Sequence, residues 1–304
     1  MLTASSLHRN LLALTALLPL ALGLRGISGC SSSTGNGFGD EDGGSGTDGG
    51  GGSTSGGLTG SDAGSKDGGN VSSGPAEVFG QSDATLYKLD PDTKAITTIG
   101  NFKGADDSII DIALDAAGNM FGVTGSTLYR IDKTNANCTK VASGGFPNSL
   151  SFVPAGTLDP SVEALVGYEG ANYVRIDPQT GVKSVIKANA LPNGLQSSGD
   201  VVSVKDGPTY LTARGTGCSA SDCLLLIDPK TGAMIKNEGL VGYSNVFGLA
   251  FWAGTIYGFN DAGTLFSLTL SGGIKSTKIT IPNAPAGLSF YGAGSTTSAP
   301  VGPK

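Results

Sequence analysis

The chain has a single histidine, His8, in 304 residues, a single tryptophan, three methionines and only 14% charged residues. With no histidine beyond His8, the body of the chain has no Ser-His-Asp or Cys-His catalysis, no histidine general base and no histidine-ligated zinc, copper or iron. Long apolar runs are missing too. The N-terminal run LLALTALLPLALGL, residues 11–24, has fourteen residues, whereas a hydrocarbon core about 30 Å thick needs roughly 20. Basic residues do not gather into a patch, so nothing points to nucleic acid. No stretch longer than about ten residues in 76–304 carries an amphipathic helical period.

What the N-terminus does have is ordered. A polar segment with Arg9 precedes the apolar run, and the small residues of RGISGC follow it. This is the three-part layout of a secretory signal peptide. Ile27, Ser28, Gly29 and Cys30 resemble the bacterial lipobox, with Arg25 departing from the usual apolar approach to the cut. The resemblance implies a lipoprotein signal peptide over residues 1–29, cleavage before Cys30, and diacylglyceryl and N-acyl groups on that cysteine. Several acyl chains are needed because a single one holds a protein only reversibly. Ser31 is not the Asp that resembles an inner-membrane retention signal, so the expected location is the cell envelope, lipid-anchored at the outer membrane.

Residues 30–75 consist almost wholly of Gly, Ser, Thr, Asp and Asn. Such a segment cannot offset the entropy of ordering and is expected to be a disordered tether, with an r.m.s. reach on the order of 35–40 Å. Asp40, Glu41, Asp42, Asp48, Asp62 and Asp67 outnumber Lys66 there, which keeps the segment away from an anionic membrane surface. Cleavage takes Arg9 and Arg25 from the 19 basic residues and nothing from the 25 acidic ones, leaving a formal charge of −8.

From residue 76 the chain repeats. LYKLDPDTKAITTIG (86–100), LYRIDKTNANCTKVAS (128–143), YVRIDPQTGVKSVIK (173–187), LLLIDPKTGAMIKNE (224–238) and LFSLTLSGGIKSTKI (265–279) align, with Asp90, Asp132, Asp177, Asp228 and Thr269 at one position. Their spacings are 42, 45, 51 and 41 residues. Each unit reads as four short strands split by Gly, Asp, Asn and Pro, and four-stranded units at this period predict an all-β fold, a β-propeller. The last copy lacks a strand that AEVFGQSD (76–83) supplies from the other end. The fold class is therefore a five-bladed β-propeller of antiparallel blades over residues 76–294, closed by N- and C-terminal strands, with a closing inner strand at 287–292. Residues 295–304 are expected to be a disordered tail. The units resemble the NHL-like and YVTN-like repeat propellers, a resemblance specific for architecture and weak for activity.

The repeated aspartates sit in Asp-Pro-x-Thr-Gly corners, where the carboxylate accepts backbone N–H bonds and turn stabilisation outweighs metal binding. The irregular loops fall on the opposite face: 101–108, 146–148, 189–198, 215–222, 239–245 and 282–286. Asp106, Asp107, Asp111 and Asp200, with Tyr243 and Asn245, are the candidate ligand-binding residues at the channel mouth. Their oxygens suit Ca²⁺ as the one implied ion, against the reading as solvated loop acids; no organic cofactor is implied. Asp111 and Asp200 also suggest a carboxylate-based glycoside hydrolase or lyase, with Glu163 and Glu169 away from the mouth. The main expectation is a binding or scaffold module for an envelope protein or glycan, with membrane contact through the lipid. Cys218 and Cys223 are expected to form a disulfide that staples an exposed loop, leaving Cys138 unpaired. Of Phe247, Phe251, Trp252 and Phe290, Phe251 and Phe290, at inner-strand spacing, read as core layers between blades, and Trp252, at a turn, as the candidate exposed stacking residue.

Overall fold

The computed structural model describes residues 74–303. The signal peptide, Cys30 and residues 31–73 of the tether lie outside the described residues. The described chain contains no helix; it forms twenty strands in five four-stranded antiparallel sheets.

The blades follow the repeat. The first holds β1 (Val78–Gln81), β2 (Thr85–Leu89) and β3 (Ile96–Asn101). The second runs β4 (Asp111–Leu114), β5 (Met120–Val123), β6 (Thr127–Asp132) and β7 (Asn137–Ser143). The third has β8 (Leu150–Val153), β9 (Ala164–Glu169), β10 (Asn172–Ile176) and β11 (Lys183–Lys187). The fourth has β12 (Gln196–Ser203), β13 (Thr209–Gly215), β14 (Cys218–Ile227) and β15 (Met234–Leu240). The fifth has β16 (Val246–Trp252), β17 (Thr255–Asn260), β18 (Leu265–Thr269) and β19 (Lys275–Ile279). Finally β20 (Gly292–Ser295) returns to the first blade and pairs antiparallel with β1, Val78 opposite Ser295 and Gln81 opposite Gly292. The closing strand thus lies a few residues beyond the predicted 287–292. The residues before it are anchored instead by Phe290, fully buried between Phe259 at 5.1 Å and Tyr87 at 6.4 Å, both edge-on.

Burial falls from the axis outwards. The inner strands β4, β8 and β20 are buried at every position, whereas the outer strands β3, β7, β11, β15 and β19 show no buried position. Strands covered on both faces read as continuous apolar runs, and rim strands carry Lys, Thr and Ser. Each inner strand packs on the next, β4 on β8, β8 on β12, β12 on β16, β16 on β20 and β20 on β4, which closes the ring without a free inner edge.

The third-to-fourth strand corners share one geometry. Asp90 Oδ1 accepts the N–H groups of Asp92 and Thr93 at 2.9 and 3.0 Å, Asp177 Oδ1 those of Gln179 and Thr180, and Asp132 and Asp228 accept Thr134 and Lys230. The fourth residue after each Asp takes positive φ: Lys94, Ala136, Gly181 and Gly232. At Gly232 no side chain fits, because a Cβ would stand 2.3 Å from Tyr173. In the fifth copy, which lacks the Asp, Gly272 and Gly273 make the turn.

Residues 295–300 are packed rather than disordered. Thr296 N–H donates to Glu77 O, Lys205 N–H to Thr297 O and Ala253 N–H to Pro300 O, while Thr297 Oγ1 donates to Glu163 and Ser298 Oγ to Ala116 O. Those partners are the entry to β1 and the first-to-second strand turns of the other four blades, so the C-terminal segment spans that end of the disc. Short hydroxyl side chains, alanine and proline make the segment look unstructured in sequence, but the same small groups are what fit across converging turns. This crossing also buries Trp252, only 6% exposed, beneath the same cluster as Ala299; Trp252 is therefore not the exposed residue that its turn position predicted.

Candidate functional site

The six predicted site residues do not form one group. Asp111 begins inner strand β4, as expected, whereas Asp200 lies within β12, four residues past its start; both are fully buried rather than set at an open mouth. Asp111 accepts its neighbour Ile112 N–H at 2.8 Å and, across the ring, Leu150 N–H of β8 at 2.6 Å. Asp200 accepts Val201 N–H at 2.6 Å, Leu249 N–H of β16, and Ala293 N–H of β20. Between them the two carboxylates engage all five inner strands.

Room for this hub comes from two local devices. Gly292 has no side chain, and a Cβ there would lie 2.5 Å from Asp111 Oδ1 and 2.7 Å from the buried Gln81 amide. In the fourth blade the β12–β13 register shifts between Ser197 and Val201; such a bulge re-aims side chains, here turning Asp200 inwards while Gly199 packs on Phe247.

The two acids also face each other, close enough to be coupled through one proton. Burial holds both carboxyl groups well above the usual range, and the Asp200 charge raises Asp111 further. Two like charges in one dry site cannot both ionise at modest free-energy cost. With every nearby oxygen committed to backbone N–H groups or to the partner acid, these residues are closed to a substrate. The hydrolase or lyase expectation loses its two candidate acids for that reason.

The other predicted residues are spread around the loop face. Asp106 is exposed, accepting Thr127 Oγ1 at 2.7 Å and facing Lys140 at 3.9 Å, which keeps its carboxyl low. Asp107 is exposed and accepts Ser108 N–H. Tyr243 stacks on Phe266 at 4.3 Å between centroids, and Asn245, at positive φ, donates to Asp261 at 2.8 Å. Among the described residues no three His, Cys, Asp or Glu side chains come together to hold a metal ion. Cys218 and Cys223 are bonded, with Cα atoms 5.5 Å apart. Cys138 is half-buried, and burial pushes its thiol up to about 11.

Three of the predicted loops do meet, around a depression of about 500 Å³ on the loop face of the fourth blade. It is lined by Gln196, Arg214, Ser219, Ser221, Asp222 and Ser244, beside the disulfide. Asp222 is 6% exposed, accepts Val246 N–H at 2.8 Å and faces Ser198, and burial raises its carboxyl. Next to this depression Phe247 and Tyr291 lean together at the rim, centroids 6.1 Å apart and planes at 39°. Tyr291 carries no signal in the sequence, because it falls within the expected closing strand 287–292, whereas β20 begins one residue later at Gly292.

No family model and no curated protein matches the chain. Solved structures with a similar arrangement include the nidogen/laminin complex, at 13% identity and a TM-score of 0.44, covering 71% of this chain and 82% of that one. Hydrazine synthase of Kuenenia stuttgartiensis matches at 13% identity and 0.37, over 66% and 60%. A protein of unknown function from Bacteroides caccae matches at 15% and 0.36, over 71% and 76%. These likenesses concern the strand arrangement and carry nothing about ligand or activity.

Proposed function

We propose that the protein is a lipid-anchored cell-envelope β-propeller, attached through Cys30 at the outer membrane, that binds an envelope protein or glycan on the loop face of its disc. The observation that carries this reading is the closed interior. The axial carboxylates are consumed by the inner-strand N–H groups, and the C-terminal segment crosses the corner face. The surface left for recognition is therefore the irregular loops on a rigid ring, where binding groups concentrate.

The lipobox residues support the anchor, and the glycine-rich stretch after them supplies reach. Cells fed an alkyne fatty acid should label the chain, and Cys30→Ala should abolish both the label and membrane retention. A labelled or still membrane-bound Cys30→Ala chain would overturn the anchor.

A further inference from the structure

Two kinds of surface adjoin on the loop face, an aromatic rim and the polar depression of the fourth blade. One end is aromatic: Tyr291 is 38% exposed and Phe247 partly so, the pair presenting carbon-rich faces at the rim. The other end is polar. Gln196, Arg214, Ser219 and Ser244 are exposed around a floor made by Ser221 and Asp222. The guanidinium of Arg214 acts on Asp222 through its charge but donates no hydrogen bond to another described residue. Its five N–H donors are thus free for a ligand.

The two ends are linked by β12. Gln196 pairs with Arg214, and Gly199, three residues on, touches Phe247. Three residues of chain span at most about 10 Å, within the reach of a disaccharide. The cleft volume falls within the range of small-ligand sites, about 300–1,000 Å³.

We propose that this cleft binds a neutral oligosaccharide, one ring stacked on Tyr291 and Phe247 and the next hydrogen-bonded by Arg214, Asp222 and Gln196. The inference rests on the reading of the disc as an envelope binding module and names its ligand class. A sugar ring has an apolar C–H face for the aromatic pair and hydroxyls that both donate and accept. The lining offers both functions: donors on Arg214 and Gln196, an acceptor on Asp222, and serine hydroxyls that do either. Charge selects against a polyanion, because the chain past residue 29 carries −8 and Asp222 and Asp261 lie beside the single Arg214.

The test is calorimetric titration of the full chain in detergent with chitotetraose, cellotetraose, maltotetraose, mannotetraose and tetragalacturonate. At least one neutral probe should bind, and Arg214→Ala and Tyr291→Ala should each weaken it by about tenfold or more, while Asp107→Ala, elsewhere on the same face, should not. Binding of tetragalacturonate alone, or binding untouched by both variants, would overturn the inference. A photo-crosslinking residue at position 244 in cells separates this failure from that of the broader reading. A protein adduct there with no saccharide binding would overturn the glycan site and leave a binding module. No adduct and no saccharide binding would overturn both.

Discussion

The axial hub makes an asymmetric prediction about two substitutions that look alike. Asp200 accepts three backbone N–H groups and the proton shared with Asp111, and it has no solvent exposure. Asparagine at 200 keeps one acceptor oxygen but turns an NH₂ group towards remaining donors. At about 1–3 kcal/mol for each orphaned buried N–H, Asp200→Asn should destabilise the propeller by about 2–4 kcal/mol. Asp111 accepts two backbone N–H groups, one on each oxygen, so asparagine there turns its NH₂ towards one of them and Asp111→Asn should cost about 1–3 kcal/mol. Urea unfolding of the full chain at pH 7, followed by intrinsic fluorescence, measures the difference. With an m-value of about 3 kcal/mol/M, the top of the usual range, Asp200→Asn should lower the midpoint by roughly 1 M and Asp111→Asn by roughly 0.3–1 M. An unchanged midpoint for either variant would refute the hub.

Three further outcomes follow from the same contacts. The raised carboxyls of Asp111 and Asp200 make the folded chain hold a proton that the unfolded chain releases near pH 4, so their contribution is present at low pH and declines as pH rises through the folded pair's titration. The lowered carboxyls of Asp90, Asp132 and Asp177 act oppositely, losing stability as pH falls below about 4; the urea midpoint should peak on the acidic side of neutrality, and Asp111→Asn should flatten the decline above the peak. Glu163→Ala removes the acceptor of both Ala116 N–H and the Thr297 hydroxyl and should cost about 2–4 kcal/mol, with Glu163→Gln restoring most of it; an unchanged melting curve for the alanine variant would show that the C-terminal segment does not tie the turns. Replacing Cys218 and Cys223 by serine opens a very short loop and should cost about 2 kcal/mol by the chain-entropy relation, read from the urea midpoint with and without reductant; no change in the wild-type midpoint on reduction would contradict it.

Much of the fold was legible because the repeat writes its corners in the sequence. Asp90, Asp132, Asp177 and Asp228 mark one turn four times, and the spacing between them sets four strands per unit and five blades. The strand missing from the last copy and present at residues 76–83 revealed the closure. What escaped was decided by neighbours distant in sequence. The acids of β4 and β12 were visible, but their partners, Leu150, Leu249 and Ala293, are brought within reach only by ring closure and by the bulge before Val201. The C-terminal segment shows no apolar pattern, since its order comes from hydroxyl and backbone bonds to four turns and to the entry of β1. Tyr291 reached the rim once the closing strand began at Gly292, and Trp252 was covered by a tail that composition alone reads as unstructured.

The most direct measurement is a crystal structure of the full chain with the tightest-binding neutral oligosaccharide. The account predicts a sugar ring against Tyr291 and Phe247, its neighbour within hydrogen-bond distance of Arg214 and Asp222, and an axis still closed around Asp111 and Asp200. A sugar lodged in the central channel against those two carboxylates would contradict it, and would return the acids to the role of a catalytic pair.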